Sequence, residues 1–316
     1  MSFLEELPKP FFVLAPMDDV TDTVFRQVVT ECAKPDLFFT EFVNVDGLQS
    51  PGREHLLHKL MVSDNEGPVI AQLWGLKPDN FYKTAKELAG MGFAGVDLNM
   101  GCPVKTVTKN GACAALINNR ELAGEIIWAA KEGAGSLPVS VKTRVGFTTV
   151  DMSWIEYLLS TKILNMLSIH GRTAKQMSKV PAEWDLIGQA RRLRDSLSPD
   201  TLIVGNGDVD SRRQGEELAE KYQLDGVMFG RGIFHDPFIF DENSPWQQLG
   251  KEQRLALFAK HIQFYIDTYK DNERRFEPLR KFCKVYINGF EGASELRAKF
   301  METKTPQEAQ DLLKNS

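Results

Sequence analysis

At 316 residues, 42% hydrophobic and 26% charged, the chain has the apolar content for a large buried core and falls outside the disordered class. Its start, MSFLEELPKPFF, holds two glutamates and no long apolar run, and no later stretch reaches the roughly 18 apolar residues of a membrane span, so a cytosolic chain is expected. The formal net charge of -5 argues against a generic nucleic-acid binder, but the charge is uneven: residues 241–316 carry 13 Lys+Arg against 12 Asp+Glu, and residues 1–240 carry 25 against 31.

Eight short apolar or β-branched runs follow in chain order, each ending in a polar or glycine-rich tip: 11–17, 37–42, 68–75, 95–101, 139–146, 166–173, 201–208 and 226–232. Most of the intervals hold helical patterns, at 78–91, 120–131, 184–197 and 211–222. Strand alternating with helix eight times predicts an α/β (β/α)8 TIM barrel. A doubly wound open sheet would need a first turn such as GxGxxG, which the LAPMDDV tip lacks.

After Gly232 the pattern changes. DENSPWQQ (241–248) reads as a linker, and apolar positions then recur at helical spacing: Leu255, Phe258, Ile262 and Tyr265; Leu279, Phe282, Val285 and Tyr286; Ala309, Leu312 and Leu313. The expected division is a barrel over 1–242 and a small C-terminal all-helical domain over 243–316. Periodicity alone describes extra helices packed on the barrel equally well.

The cysteines Cys32, Cys102, Cys113 and Cys283 show no CxxC or Cys/His spacing, so neither a zinc site nor a disulfide framework is expected, and no metal. In a (β/α)8 barrel the functional groups gather at the C-terminal ends of the strands. Those tips supply Ala15-Pro16-Met17, Glu41, Gln72, Asn99 with Cys102, Lys142 with Arg144, His170 with Arg172, Asn206-Gly207-Asp208 and Gly230-Arg231. Lys142 or His170 alone reads most simply as an ion pair or a satisfied core histidine; as members of one rim they favour function.

The tips GNGD and GRG close the set. Loops after strands seven and eight of such barrels commonly make a phosphate site from backbone N–H groups, and Arg231 adds a charge-assisted fork. A flavin mononucleotide (FMN) would use the whole rim: phosphate on GNGD and GRG, ring over Ala15-Pro16-Met17, pyrimidine edge on Gln72, and Lys142 stabilising charge near N1 of the reduced ring.

These tips resemble those of the tRNA-dihydrouridine synthases. The resemblance is carried by LAPMDDVTD, TEFV, AQLWG, DLNMGCPVKTVTKNGACAAL, VSVKTRVGF, IHGRT and VGNGDV followed by GVMFGRG, in the expected order over about 230 residues, and the helical tail is similar in kind. It implies FMN-dependent reduction of a uracil 5,6 double bond in tRNA, with NADPH recharging the flavin. Carried onto matching positions, Cys102 would protonate C5, Asn99 would help hold the uracil, and Met17, Gln72, Lys142, His170, Asn206, Gly207, Gly230 and Arg231 would be the flavin ligands. Cys113 stands where the family more often has glycine and reads as packing. A departure follows HGRT, where AKQMSKVPAEW keeps Gln176 but lacks the family's usual tyrosine and glycine; that loop bears on substrate grip.

A thiol of ordinary pKa near 8.5 keeps the proton such a general acid must donate, and the Gly101 and Pro103 flanks suit a turn that presents it. Glu41, Arg144, Arg172 and Gln176 are the remaining candidates for substrate contact at the rim. An acidic barrel needs local cationic patches to hold tRNA, and RRFEPLRKFCK supplies Arg274, Arg275, Arg280, Lys281 and Lys284 against the single acid Glu277. The target uracil must also leave its stack. Two rival readings stand beside this one: a flavin barrel acting on a small dihydropyrimidine or dihydroorotate-like substrate, and an RNA-binding barrel without turnover. A monomer is expected.

Overall fold

The computed structural model describes residues 3–269 and 276–316. Among the described residues nine parallel strands form one sheet: β1 Phe11–Leu14, β2 Phe38–Phe39, β3 Val43–Asn44, β4 Val69–Trp74, β5 Gly95–Met100, β6 Val139–Arg144, β7 Met166–His170, β8 Leu202–Asn206 and β9 Gly226–Phe229. Neighbours run β1-β9-β8-β7-β6-β5-β4-β2, and β1 meets β2 through the Val13–Leu37 bridge and the Leu14 N–H to Leu37 carbonyl bond of 3.1 Å. That contact brings the ends of the sheet together, and the architecture is the expected TIM barrel. The run at 37–42 is not one strand: β2 and β3 both pair with β4, interrupted at 40–42. Thr40 explains the break, because its hydroxyl accepts the Gln72 N–H at 3.0 Å and donates to the Glu41 carbonyl at 2.7 Å, replacing ladder bonds.

The helices are α1 Phe3–Glu6, α2 Thr23–Ala33, α3 Val45–Leu48, α4 Pro78–Ala89, α5 Lys105–Thr108, α6 Arg120–Ala134, α7 Met152–Ser160, α8 Trp184–Leu197, α9 Arg212–Tyr222, α10 Lys251–Tyr269, α11 Glu277–Arg280, α12 Cys283–Tyr286, α13 Ala293–Glu302 and α14 Pro306–Lys314. Side-chain N-caps start several of them: Asp22, Asn119, Asp151, Ser211 and Thr305 each accept a backbone N–H of the first turn.

Two cores result from strand alternation. Inward residues Phe11, Val13, Ile70, Met166, Val204 and Met228 fill the lower barrel, with Leu4 of α1 joining them. Outward residues such as Val96, Leu98, Val141, Ile169 and Phe229 pack under the helices. On β5 and β6 the inward positions turn polar, giving Asp97, Asn99, Ser140 and Lys142.

The last helices share the outer core. Phe25 of α2 stacks on Phe282 and His261, with ring centroids 4.7 and 5.7 Å away. DENSPWQQ is not a free tether: Trp246 is 2% exposed, and the Arg254 guanidinium lies 4.2 Å over its ring. Among the described residues no helix is long and apolar enough to cross a membrane.

Candidate active site

A cavity of about 500 Å³ opens at the C-terminal ends of the strands, within the range of a cofactor site. Ala15, Pro16, Met17, Asn99, Cys102, Lys142, Arg144, His170, Arg172, Asn206, Gly207, Asp208, Gly230 and Arg231 line it. The structure thus brings most of the rim candidates onto one wall.

Strand register sets their order. Asn99 pairs with Lys142, and His170 with Asn206, so the side chains project inward at neighbouring levels. Lys142 Nζ donates to Asn206 Oδ1 at 3.2 Å, and Asn206 Nδ2 donates to the Met228 carbonyl at 2.9 Å. Burial lowers the Lys142 pKa to about 8, and nearby Arg144 adds to the fall.

Four cations face the cavity against two carboxylates, Asp208 and Asp210. Asp208 is held by Arg172 and, at 3.2 Å, by Arg231. His170 Nε2 lies 3.1 Å from Arg172 Nη1, which only donates, so Nε2 accepts and Nδ1 carries the proton. Desolvation, then Arg144, Lys142, Arg172 and Arg231, push the His170 pKa far down, and the ring stays neutral. Gly207 sits at φ +135, where a Cβ would stand 2.5 Å from the Ala182 Cβ, so only glycine fits this turn.

Cys102 follows β5 in a turn gripped from both sides. Its N–H and that of Gly101 donate to Asn99 Oδ1 at 2.9 and 3.1 Å, and the Gly101 carbonyl accepts Arg144 Nε at 2.8 Å. At Gly101 a Cβ would come within 3.3 Å of the β6 backbone, a tight fit that a side chain could take only if the two segments moved apart by a few tenths of an ångström. The Cys102 pKa is lowered to about 7, chiefly by a hydrogen bond from the Cys113 thiol; burial opposes this, while the Val104 N–H and Arg144 assist.

Several candidates take other places. Gln72 is fully buried beneath the cavity, its amide committed to Asp97 and Asn99 at 2.7 and 2.9 Å, because register sets Gln72 beside Asp97. It does not line the cavity wall. Glu41 is fully buried and does not line the wall either, its Oε1 accepting the Asp19 N–H at 2.6 Å. Gln176 caps the loop after β7 by accepting the Thr173 N–H at 2.7 Å. Arg144 Nη1 donates to the Thr173 and Met177 carbonyls at 3.1 and 3.0 Å, so this side chain ties that loop to the Cys102 turn.

In the basic patch, Lys281 and Lys284 are exposed. Arg280 lies over the Phe276 ring and is partly buried, not a solvated cation. Arg274 and Arg275 lie outside the described residues. Sequence reasoning missed the Cys113 contact, which depends on the 103–112 loop folding back, as the Ala114 N–H to Cys102 carbonyl bond of 3.3 Å shows. It also passed over Asp97, whose buried carboxylate the inward alternation of DLNMG could have flagged.

The model of the family described as "Dihydrouridine synthase (Dus)" matches residues 13–316. The chain belongs to the dihydrouridine synthase family. Curated relatives agree: a probable tRNA-dihydrouridine synthase of Staphylococcus aureus (strain Mu50) is 50% identical over 99% of this chain and 94% of its own. Probable tRNA-dihydrouridine synthase 2 of Bacillus subtilis (strain 168) is 48% identical over 99% and 95%. With the membership comes the activity: the protein is a flavin oxidoreductase that makes dihydrouridine in tRNA. Solved structures support the fold. A morphinone reductase variant in complex with tetrahydroNAD superposes at TM-score 0.54 and 13% identity, covering 75% of this chain and 87% of that one. Histamine dehydrogenase from Rhizobium sp. 4-9 does so at 0.53 and 12%, covering 80% and 48%.

Proposed function

We propose that the flavin is FMN, that NADPH reduces it, and that Cys102 is the acid that protonates C5 of the target uracil. The observation that carries this reading is the placement of a half-buried thiol in the same cavity lining as four cations, Lys142, Arg144, Arg172 and Arg231. The chain's groups fit the cofactor: Arg231 and the Gly207 turn suit a phosphate, small Ala15 and Pro16 admit a flat ring, and Lys142 suits a ring that becomes anionic on reduction.

When bound, reduced FMN supplies the two electrons and the hydrogen that C6 receives. The chain's part is placement and protons. Cys102 gives its proton to C5, and its thiolate takes another from solvent. Arg144 steadies the Cys102 turn from the carbonyl side. Neutral His170 offers hydrogen bonds without adding charge to a wall that already holds four cations. Exposed Lys281 and Lys284 offer phosphate contacts to tRNA.

The test is Cys102→Ala. The variant is expected to purify yellow and to be reduced by NADPH, while tRNA incubated with it gains no dihydrouridine by mass spectrometry. Full turnover would remove Cys102 as the proton donor.

A further inference from the structure

Below the cavity a buried chain of polar groups runs across three strands to the Cys102 turn. Ser140 Oγ donates to Asp97 Oδ1 at 2.5 Å, and Gln72 Nε2 donates to Asp97 Oδ2 at 2.7 Å. Gln72 Oε1 accepts Asn99 Nδ2 at 2.9 Å. Asn99 Oδ1 then accepts the N–H groups of Gly101 and Cys102. Asp97 and Gln72 are fully buried, Ser140 is 1% exposed and Asn99 7%.

The direction of this chain is fixed at both ends. A carboxylate only accepts, so the Gln72 group facing Asp97 must be its NH2; its oxygen then faces Asn99, and the Asn99 NH2 turns toward it. Backbone N–H groups only donate, so the Asn99 oxygen must face the turn. Each amide has two orientations in principle, and the two ends leave one. Asp97 stands three hydrogen bonds from the reacting sulfur's own residue, yet it decides how that residue's backbone is held.

We propose that Asp97 is a positioning residue for uridine reduction, acting through Gln72 and Asn99 to hold the turn that presents the Cys102 thiol. This rests on Cys102 being the proton donor. Asp97 does not touch the reacting atoms, and its acceptor oxygens matter more than its charge. An asparagine can replace it: Oδ1 still accepts from Gln72 while Nδ2 donates to Ser140, whose hydroxyl works in either sense. A leucine cannot, since it leaves the Gln72 NH2 buried without a partner.

The half-reactions separate this role from a general loss of structure. Asp97→Leu, as the flavin-loaded enzyme, is expected to keep its flavin and its rate of flavin reduction by NADPH. Its single-turnover reduction of tRNA uridine should fall about a hundredfold, the scale of a small misplacement of a reacting group. Asp97→Asn should stay within roughly threefold of the parent in both steps. If leucine prevents folding, Asp97→Ala, which overfills nothing, should show the same split. Wild-type uridine reduction in the apolar variant would overturn the proposal. So would equal loss in Asp97→Asn with slowed flavin reduction, which would place Asp97 in charge balance with Lys142 instead. Cys102→Ala run in parallel distinguishes the failures: if it too is fully active, the proton-donor reading falls, and if it is dead, only the positioning role does.

Discussion

Opposed forces act on the Cys102 thiol. The hydrogen bond from Cys113, the Val104 N–H and Arg144 favour the thiolate, while burial and Asp18 oppose it, and the balance is a pKa of about 7. A proton donor works only while it holds its proton. Single-turnover uridine reduction should therefore be full below pH 7 and fall about tenfold per unit above it, while flavin reduction by NADPH lacks that limb. A limb near the ordinary thiol value of about 8.5 would show that the Cys113 contact does not act on Cys102 in solution. Lys142 poses a different problem, a half-buried cation whose ammonium donates to the neutral amide of Asn206. We expect Lys142→Ala to bind FMN at least about tenfold more weakly, measured by fluorescence titration, because a charge-assisted bond to the ring is lost. Sequence made both residues visible, since each sits at the tip of a strand. It gave Cys113 away only as packing, because its partner comes from a turn eleven positions upstream in the chain.

Elements were legible where periodicity was strong and obscure where side chains replaced backbone pairing. The helix expected at 184–197 is α8, residue for residue, whereas the single strand expected at 37–42 is cut by the Thr40 hydroxyl. Helix α13 went unforeseen, its apolar Leu296 and Phe300 being too few to set a period. Nor does sequence reveal how closely α4 and α6 approach. A Cβ at Gly133 would stand 2.1 Å from the Tyr82 carbonyl oxygen, which is backbone and cannot swing away. In an open helix Gly→Ala gains about 1 kcal/mol. Here the sign should reverse: Gly133→Ala should lose roughly 2 kcal/mol or more in urea unfolding, as overpacked sites do. The opposite outcome would mean that the two helices separate at little cost.

At the scale of the whole molecule, charge and packing divide the work of holding tRNA. The helices after residue 250 are anchored by apolar contacts with α2, through Phe282 and His261 against Phe25, which fixes the tail relative to the cavity. We propose that this tail, 243–316, is the tRNA-binding part, since it is near neutral while the rest of the chain is acidic. Sequence could count those charges but not sort them. Arg280 is drawn onto Phe276 and toward the Met301 carbonyl, whereas Lys281 and Lys284 remain exposed. Each lysine that neutralises one phosphate of a duplex stem releases counterions, so its loss should lower the slope of log affinity against log salt by about 0.9. Lys281→Ala with Lys284→Ala should therefore weaken tRNA binding most at low salt and flatten the salt dependence by nearly two, with flavin reduction by NADPH unaltered. Arg280→Ala should leave the slope unchanged and lower the melting temperature instead, because that guanidinium serves the packing of the tail. An unchanged slope in the double lysine variant would move the tRNA contact to another face of the protein.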